Sequence, residues 1–206
     1  MTLYPRPAAR LRRPFLLGLT GSIGMGKSTA AAMFRATGVP VFDADAEVHR
    51  LQARGGAAVA AIAARFPGTT GKQGVDRAVL GTRVLANRAE LAALEAIVHP
   101  LVARAQQRFL RRHRARPLVV LDIPLLFEKG GWQKVGAIAV VSAPLWVQRR
   151  RVLARPGMTT AKLRTIRRLQ TPDRVKRARA DFVIDTGRPK TMMRAQIKSI
   201  VSCFRR

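Results

Sequence analysis

Eight consecutive residues carry the first recognisable chemistry: Gly21-Ser22-Ile23-Gly24-Met25-Gly26-Lys27-Ser28. They fit the spacing G-x-x-x-x-G-K-[ST], which binds phosphate groups where a strand turns into a helix. The glycines let successive backbone N–H groups turn inward and form a concave anion site. The start of the following helix adds unsatisfied donors and a partial positive charge. Lys27 supplies a full charge for the terminal phosphates of a nucleoside triphosphate, and Ser28 supplies an oxygen for Mg²⁺.

Phosphoryl transfer relies on positioning and charge neutralisation more than on covalent help. Beyond the loop it needs a carboxylate at the acceptor hydroxyl, support for the metal, and cations over the migrating group. Asp43 and Asp45 stand two residues apart where a short apolar run gives way to a helix. Either also reads as a helix N-cap. Asp45 is assigned to the acceptor hydroxyl as general base or orienter and Asp43 to a water on Mg²⁺, with the exchange of these roles left open. Asp122 closes a nearly pure apolar run, where a metal-supporting acid would stand. The metal set is therefore Ser28 with Asp43 or Asp122, the acid acting through water. Arg151 and Arg155, four apart, share a helix face and present forked guanidinium groups suited to phosphate oxygens. Arg149 and Arg150 read as a solvated face. The segment could close as a lid that excludes water and suppresses ATP hydrolysis. Leu126 and Phe127 either line an acceptor pocket or belong to the core. His99, just before Pro100, is either structural or an acceptor contact.

These residues need a scaffold. Apolar runs predict strands at 15–20, 39–42, 118–123, 135–141 and 182–184, separated by helical patterns. Strands buried on both faces and alternating with helices argue for an open parallel α/β sheet, which binds ligands at the carboxyl ends of its strands. Gly38 reads as the residue that stops the first helix. Asn87 with Glu90 resembles a capping box before a long helix that Pro100 should kink or split. Pro67 to Gly74 reads as a loop, residues 146–179 as a very basic helical stretch, and Met193, Ile197, Ile200, Val201 and Phe204 as one face of a last helix.

At 206 residues and 48% apolar content, the chain suits one domain with a substantial core. The expected organisation is a basic, flexible arm over 1–14 and a single domain over 15–206, with an acceptor-binding helical region at about 46–115 and a lid at about 146–179. The lone Cys203 makes no internal disulfide, and no zinc-ligand spacing occurs. No run approaches a membrane span, so the expectation is a cytoplasmic protein with no membrane partner. Net charge is +28, from 39 basic and 11 acidic residues, a field attractive to polyanions. Charge alone does not establish a nucleic-acid partner, and one Tyr with two Trp leaves few stacking platforms.

From Phe15 to Phe204 the chain resembles the dephospho-CoA kinases. The resemblance rests on the phosphate loop through Thr29, Asp43-Ala44-Asp45 with His49, Gly74-Val75-Asp76-Arg77 with Leu80, and His99-Pro100. It continues through Asp122-Ile123-Pro124-Leu125-Leu126-Phe127-Glu128, Gln148 with Arg151 and Arg155, Gln170 with Lys176, and Ala180-Asp181 with Ile184-Asp185. It implies a P-loop NTPase fold of the nucleoside-monophosphate-kinase type and transfer of phosphate from ATP, with Mg²⁺, to the ribose 3′-hydroxyl of dephospho-CoA. It also implies that Gly24, Met25, Gly26, Lys27, Ser28 and Thr29 hold the ATP phosphates together with Arg155. Lys27, Asp45 and Arg151 would be catalytic, with Arg151 in the lid. Asp43, Asp45, His99, Leu126 and Phe127 would meet the acceptor. Thr186 stands where the family usually carries Asn, and the N-terminal arm is longer than usual. Two other readings stay open from the residues alone: another P-loop metabolite or nucleotide kinase, and a nucleic-acid-binding ATPase. A monomer or weak homo-oligomer is expected, with no obligatory nucleic acid.

Overall fold

The structure, a computed structural model, describes residues 13–128 and 130–204. The expected arm over 1–14 lies, apart from Arg13 and Pro14, outside the described residues. In chain order the strands are β1 (Phe15–Thr20), β2 (Val41–Asp43), β3 (Thr70–Gly71), β4 (Gly74–Val75), β5 (Leu118–Asp122), β6 (Ala137–Ser142) and β7 (Phe182–Asp185). The helices are α1 (Lys27–Ala36), α2 (Ala44–Gln52), α3 (Val59–Arg65), α4 (Arg77–Leu85), α5 (Arg88–Arg112), α6 (Leu145–Leu153), α7 (Thr160–Leu169), α8 (Asp173–Ala178) and α9 (Lys190–Ser202). The chain divides into two units. One combines the sequence up to Phe42 with that from His113 onward, and the other spans Asp43–Arg112.

The first unit is built on a five-stranded sheet of order β2-β5-β1-β6-β7. Its β1–β5, β1–β6 and β6–β7 pairings are parallel, with Leu17 opposite both Val120 on β5 and Ala137 on β6. β5 and β6 are buried at every residue. Apolar side chains on both faces make this possible, because helices cover a parallel sheet from both sides. Leu17, Leu19, Phe34, Val120, Ala139, Val141, Ile184 and Ile197 form the main core cluster. On α9, Met193, Ile197, Ile200 and Val201 are the buried face, as the helical spacing requires. α1 stops at Thr37, followed by Gly38 at φ 80, the left-handed value that a glycine after a helix supplies.

The second unit has its own core, made of Leu51, Ala58, Ile62, Phe66, Leu80, Val84 and Val98. Local details depart from expectation here. The stretch read as a loop contains the two-residue strands β3 and β4, paired antiparallel. α5 runs unbroken through Pro100, so the splitting alternative fails. Only half of the capping box forms. The Asn87 side chain accepts the N–H groups of Ala89 and Glu90, whereas the Glu90 carboxylate pairs with Arg65 at 2.9 Å. In the first unit, the basic stretch over 146–179 falls into three helices, α6, α7 and α8. Among the described residues no helix is long and apolar enough to cross a membrane.

Candidate active site

The loop between β1 and α1 has the shape its sequence demands. Gly24 and Gly26 take φ values of 73 and 85, in the left-handed region that favours glycine. Space is equally restrictive. A Cβ on Gly24 would sit 2.5 Å from Val152 Cγ2, and one on Gly21 would sit 2.3 Å from Val141 Cγ2. Gly26 caps α1 with no side chain, so the helix opens with its first N–H groups toward the loop. Ser28 and Thr29 are exposed on the first turn. The Met25 side chain is buried and receives the Ala143 N–H on its sulfur at 3.2 Å, so Met25 can offer a phosphate only its backbone.

Lys27 Nζ lies 2.5 Å from Asp122 Oδ1. Asp122 ends β5 and is 1% exposed, so the lysine partly compensates a carboxylate that burial would otherwise penalise. The lysine and the acid at the end of the neighbouring strand thus form one charged unit beside the phosphate loop.

Three side chains from the C-terminal half hold the loop from outside. Gln148 on α6 donates through Nε2 to the Ile23 carbonyl at 2.8 Å. Gln170, at the end of α7, accepts the Ile23 N–H on Oε1 at 3.1 Å. Thr186, just past β7, donates through Oγ1 to the Met25 carbonyl at 2.7 Å. Arg151 is fixed by the same threonine, with its two terminal nitrogens donating to Thr186 Oγ1 at 3.1 Å and to the Thr186 carbonyl at 2.7 Å. A cleft of about 320 Å³ opens beside Ser22 and Met25, and its wall includes Arg164, Arg167 and Arg168 of α7.

Beneath this segment lies a buried ion pair. Lys176 on α8 is 0% exposed and places Nζ 2.9 Å from Glu128 Oε1. The same oxygen accepts the Thr171 N–H at 2.8 Å. Burial pushes the Glu128 carboxyl up, but the Lys176 ammonium and the backbone donors outweigh it and hold the group below the ordinary carboxylate range.

Several expectations need correction. Arg155 does not share a helix face with Arg151, because α6 ends at Leu153 and Arg155 lies past the C-cap Ala154. Leu126 is fully buried with Ile138 and Val140, which is the core alternative and not a lining of an acceptor pocket; Phe127 is partly buried against that cluster. Asp43, not Asp45, caps α2, its Oδ1 accepting the Ala46 N–H at 2.9 Å. In the second unit Asp45 is exposed in the first turn of α2, and His99 is exposed on α5. His49 Nδ1 lies 3.1 Å from an Arg77 nitrogen, so two side chains that the sequence left in separate motifs meet. Gln148, Gln170 and Thr186 acquire their loop contacts only in the folded chain.

A parallel sheet with a glycine loop leading into a helix, a loop lysine and an acid on the adjacent strand end define a P-loop phosphotransferase fold. A model of the dephospho-CoA kinase family matches residues 15–190. A dephospho-CoA kinase from Novosphingobium aromaticivorans is 57% identical, over 95% of this chain and 97% of its own length. A solved Thermus thermophilus protein is 37% identical with a TM-score of 0.81, covering 92% of this chain and 97% of that one. The solved Campylobacter jejuni dephospho-CoA kinase shares the fold at 20% identity and TM-score 0.64, over 92% and 96% of the two chains. This chain belongs to the dephospho-CoA kinase family. The readings as some other P-loop kinase or as a nucleic-acid-binding ATPase give way to that membership.

Proposed function

We propose that this chain transfers the terminal phosphoryl group of ATP to the ribose 3′-hydroxyl of dephospho-CoA, giving coenzyme A and ADP. The observation that carries the reading is the family match over residues 15–190, which spans the phosphate loop and the Asp122-to-Glu128 run. The loop geometry supports the donor half. Backbone N–H groups from Gly24 to Thr29 and the Lys27 ammonium bind the triphosphate. Arg151, held by Thr186, neutralises charge that develops on the migrating group.

Mg²⁺ fits the oxygen donors on hand. It usually keeps several waters and takes one or two protein oxygens along with substrate phosphates. The Ser28 hydroxyl would hold it directly and Asp122 through water. The ion would supply charge neutralisation at the phosphates. On this reading Lys27 exchanges part of its contact with Asp122 for the triphosphate when ATP binds. Asp45 accepts the proton of the 3′-hydroxyl or orients it. Support for that role comes from its exposed carboxylate two residues past the cap, while one Asp43 oxygen is spent on α2. His99 and the His49–Arg77 pair are assigned to acceptor binding.

The test is incubation with Mg-ATP and dephospho-CoA, with the product read by mass spectrometry and phosphorus NMR. A new phosphomonoester on the 3′ position is the expected result. Its absence, with ATP bound, sinks the assignment.

A further inference from the structure

The phosphate loop has one internal turn bond, from the Met25 N–H to the Ser22 carbonyl at 3.1 Å, and side chains from outside the loop complete its shape. Its described contacts leave the N–H groups of Gly24 and Gly26 without an intramolecular acceptor, while the carbonyls that precede them are both bonded from outside. The peptide group is planar, and no cis peptide bond occurs among the described residues. In a trans peptide the carbonyl and the next residue's N–H point in opposite directions. Tying the Ile23 carbonyl to Gln148 therefore turns the Gly24 N–H away from α6. Tying the Met25 carbonyl to Thr186 turns the Gly26 N–H away from the end of β7. The vacant Cβ directions agree: at Gly24 that space is filled by Val152 and Gln148, and at Gly26 by Thr186. One side of the loop is therefore packed and bonded, and the donors are presented on the other.

Thr186 has a second role. It is 3% exposed, its own N–H donates to the Ser142 carbonyl at 2.8 Å, and it receives both terminal nitrogens of Arg151. A single residue fastened to the end of β6 thus sets both a loop peptide and a guanidinium group. Both Thr186 acceptors are uncharged, so these two contacts position Arg151 without neutralising its charge.

We propose that Thr186 and Gln148 are positioning residues for phosphoryl transfer: they aim the Gly26 and Gly24 N–H groups at the ATP phosphates, and Thr186 also fixes the orientation of Arg151. The proposal rests on the reading of residues 21–28 as the ATP site. It separates the two residues by effect. Gln148 acts on ATP binding alone, whereas Thr186 acts on binding and on turnover.

The experiment measures Mg-ATP affinity by calorimetry and kcat with dephospho-CoA for Thr186→Val, Thr186→Ser, Gln148→Leu, Arg151→Ala and the Thr186→Val/Arg151→Ala pair. Thr186→Val keeps the shape and removes the hydroxyl. It should weaken ATP binding about tenfold, the effect of one ordinary hydrogen bond, and lower kcat about tenfold. Thr186→Ser should recover both to within about threefold. Gln148→Leu should weaken ATP binding by a similar factor with little change in kcat. The double variant should have no lower kcat than Arg151→Ala alone while keeping the weakened ATP binding. In glycine-labelled protein, the shift of the Gly26 amide resonance on ADP binding should shrink in Thr186→Val and return in Thr186→Ser. Should Thr186→Val fail to fold, Thr186→Ala and Gln148→Leu carry the same comparison. Binding and turnover within twofold of wild type in Thr186→Val, no rescue by Ser, or fully additive kcat losses in the double variant would each overturn the proposal. A wild-type protein that binds no ATP would instead overturn the site reading beneath it.

Discussion

Replacing Lys176 by methionine tests the brace under the arginine-rich segment. The ammonium is fully buried, 2.9 Å from Glu128 Oε1, and Glu128 is itself mostly buried, with side-chain exposure of 13%. Methionine fills most of the hydrocarbon volume but leaves the carboxylate without its cation. Removing one member of a buried pair costs about 3–5 kcal/mol. The Thr171 N–H remains on Glu128, so the lower end, about 3 kcal/mol, is expected. For a chain of this size each kcal/mol moves the melting temperature by about 2–4 °C, so the drop should be about 6–12 °C. Calorimetric melting at pH 7 and low salt reads it. A Lys176→Met/Glu128→Leu pair should recover most of the loss, because apolar replacement of a buried ion pair is often neutral. The pH dependence follows from the Glu128 carboxyl. Its folded pKa is depressed, so its contribution is complete above the unfolded value of about 4.3 and is lost as pH falls through the folded one. The gap in melting temperature between wild type and Lys176→Met should therefore be full near pH 7 and narrow as pH falls through the depressed folded value. A drop smaller than about 2 °C at pH 7, or a gap unchanged down to pH 3, would refute the brace. Turnover should fall as well, since Thr171 adjoins Gln170, whose amide holds Ile23 of the phosphate loop.

Asp45→Asn should lower kcat by about 10²–10⁴ while ATP affinity stays within twofold, read by coupled turnover and calorimetry; an unchanged kcat removes Asp45 from the proton-transfer role. Gly24→Ala places a methyl 2.5 Å from Val152 Cγ2 at φ 73, so it should destabilise by about 1–3 kcal/mol and weaken ATP binding at least tenfold, measured by urea unfolding and nucleotide titration. Lys27→Met removes the cation 2.5 Å from buried Asp122, so ATP affinity and melting temperature should fall together, and Lys27→Met/Asp122→Asn should regain stability without regaining turnover. Chelation of Mg²⁺ should abolish phosphoryl transfer and leave the melting temperature of the nucleotide-free protein unchanged.

The sheet was legible because each of its five strands is a local apolar run bounded by turn residues, and the phosphate loop because its whole pattern lies within eight residues. What escaped depends on distance. Ile23 meets partners 125 and 147 residues away, and nothing in the spacing of Gln148 or Gln170 announces that. Strands of two residues, such as β3 and β4, are too short to show alternation. The choice of Asp43 over Asp45 as cap turns on one residue's backbone. Asp43 keeps extended angles of φ -101 and ψ 106, leaving its side chain free to reach back to Ala46. At Arg155 the sequence itself carries the signal that ends the helix. Arg155 precedes Pro156-Gly157, and a residue before proline is pushed out of helical conformation. Leu126 could not be divided between pocket and core by composition, because both want an apolar side chain.

The two halves of the proposed reaction use opposite physical settings, and the difference follows from what each must do. Triphosphate binding needs dipoles already aimed before the ligand arrives, since fixed donors need no reorganisation as charge develops. The groups that bond or pack the loop and its lysine are buried: Gln148, Thr186, Asp122 and the Met25 side chain. They share the sheet-bearing unit. The acceptor carboxylate has the other requirement. A base that takes a proton must change its charge within one turnover, and deep burial without a partner would disfavour the charged form that accepts the proton. Asp45, His49, Arg77 and His99 are all exposed side chains of the second unit, which folds around a separate apolar core. Lesions in the buried set should therefore register first in ATP affinity. Lesions in the exposed set should leave ATP affinity intact and register in kcat at Asp45 and in the KM for the acceptor at His49, Arg77 and His99.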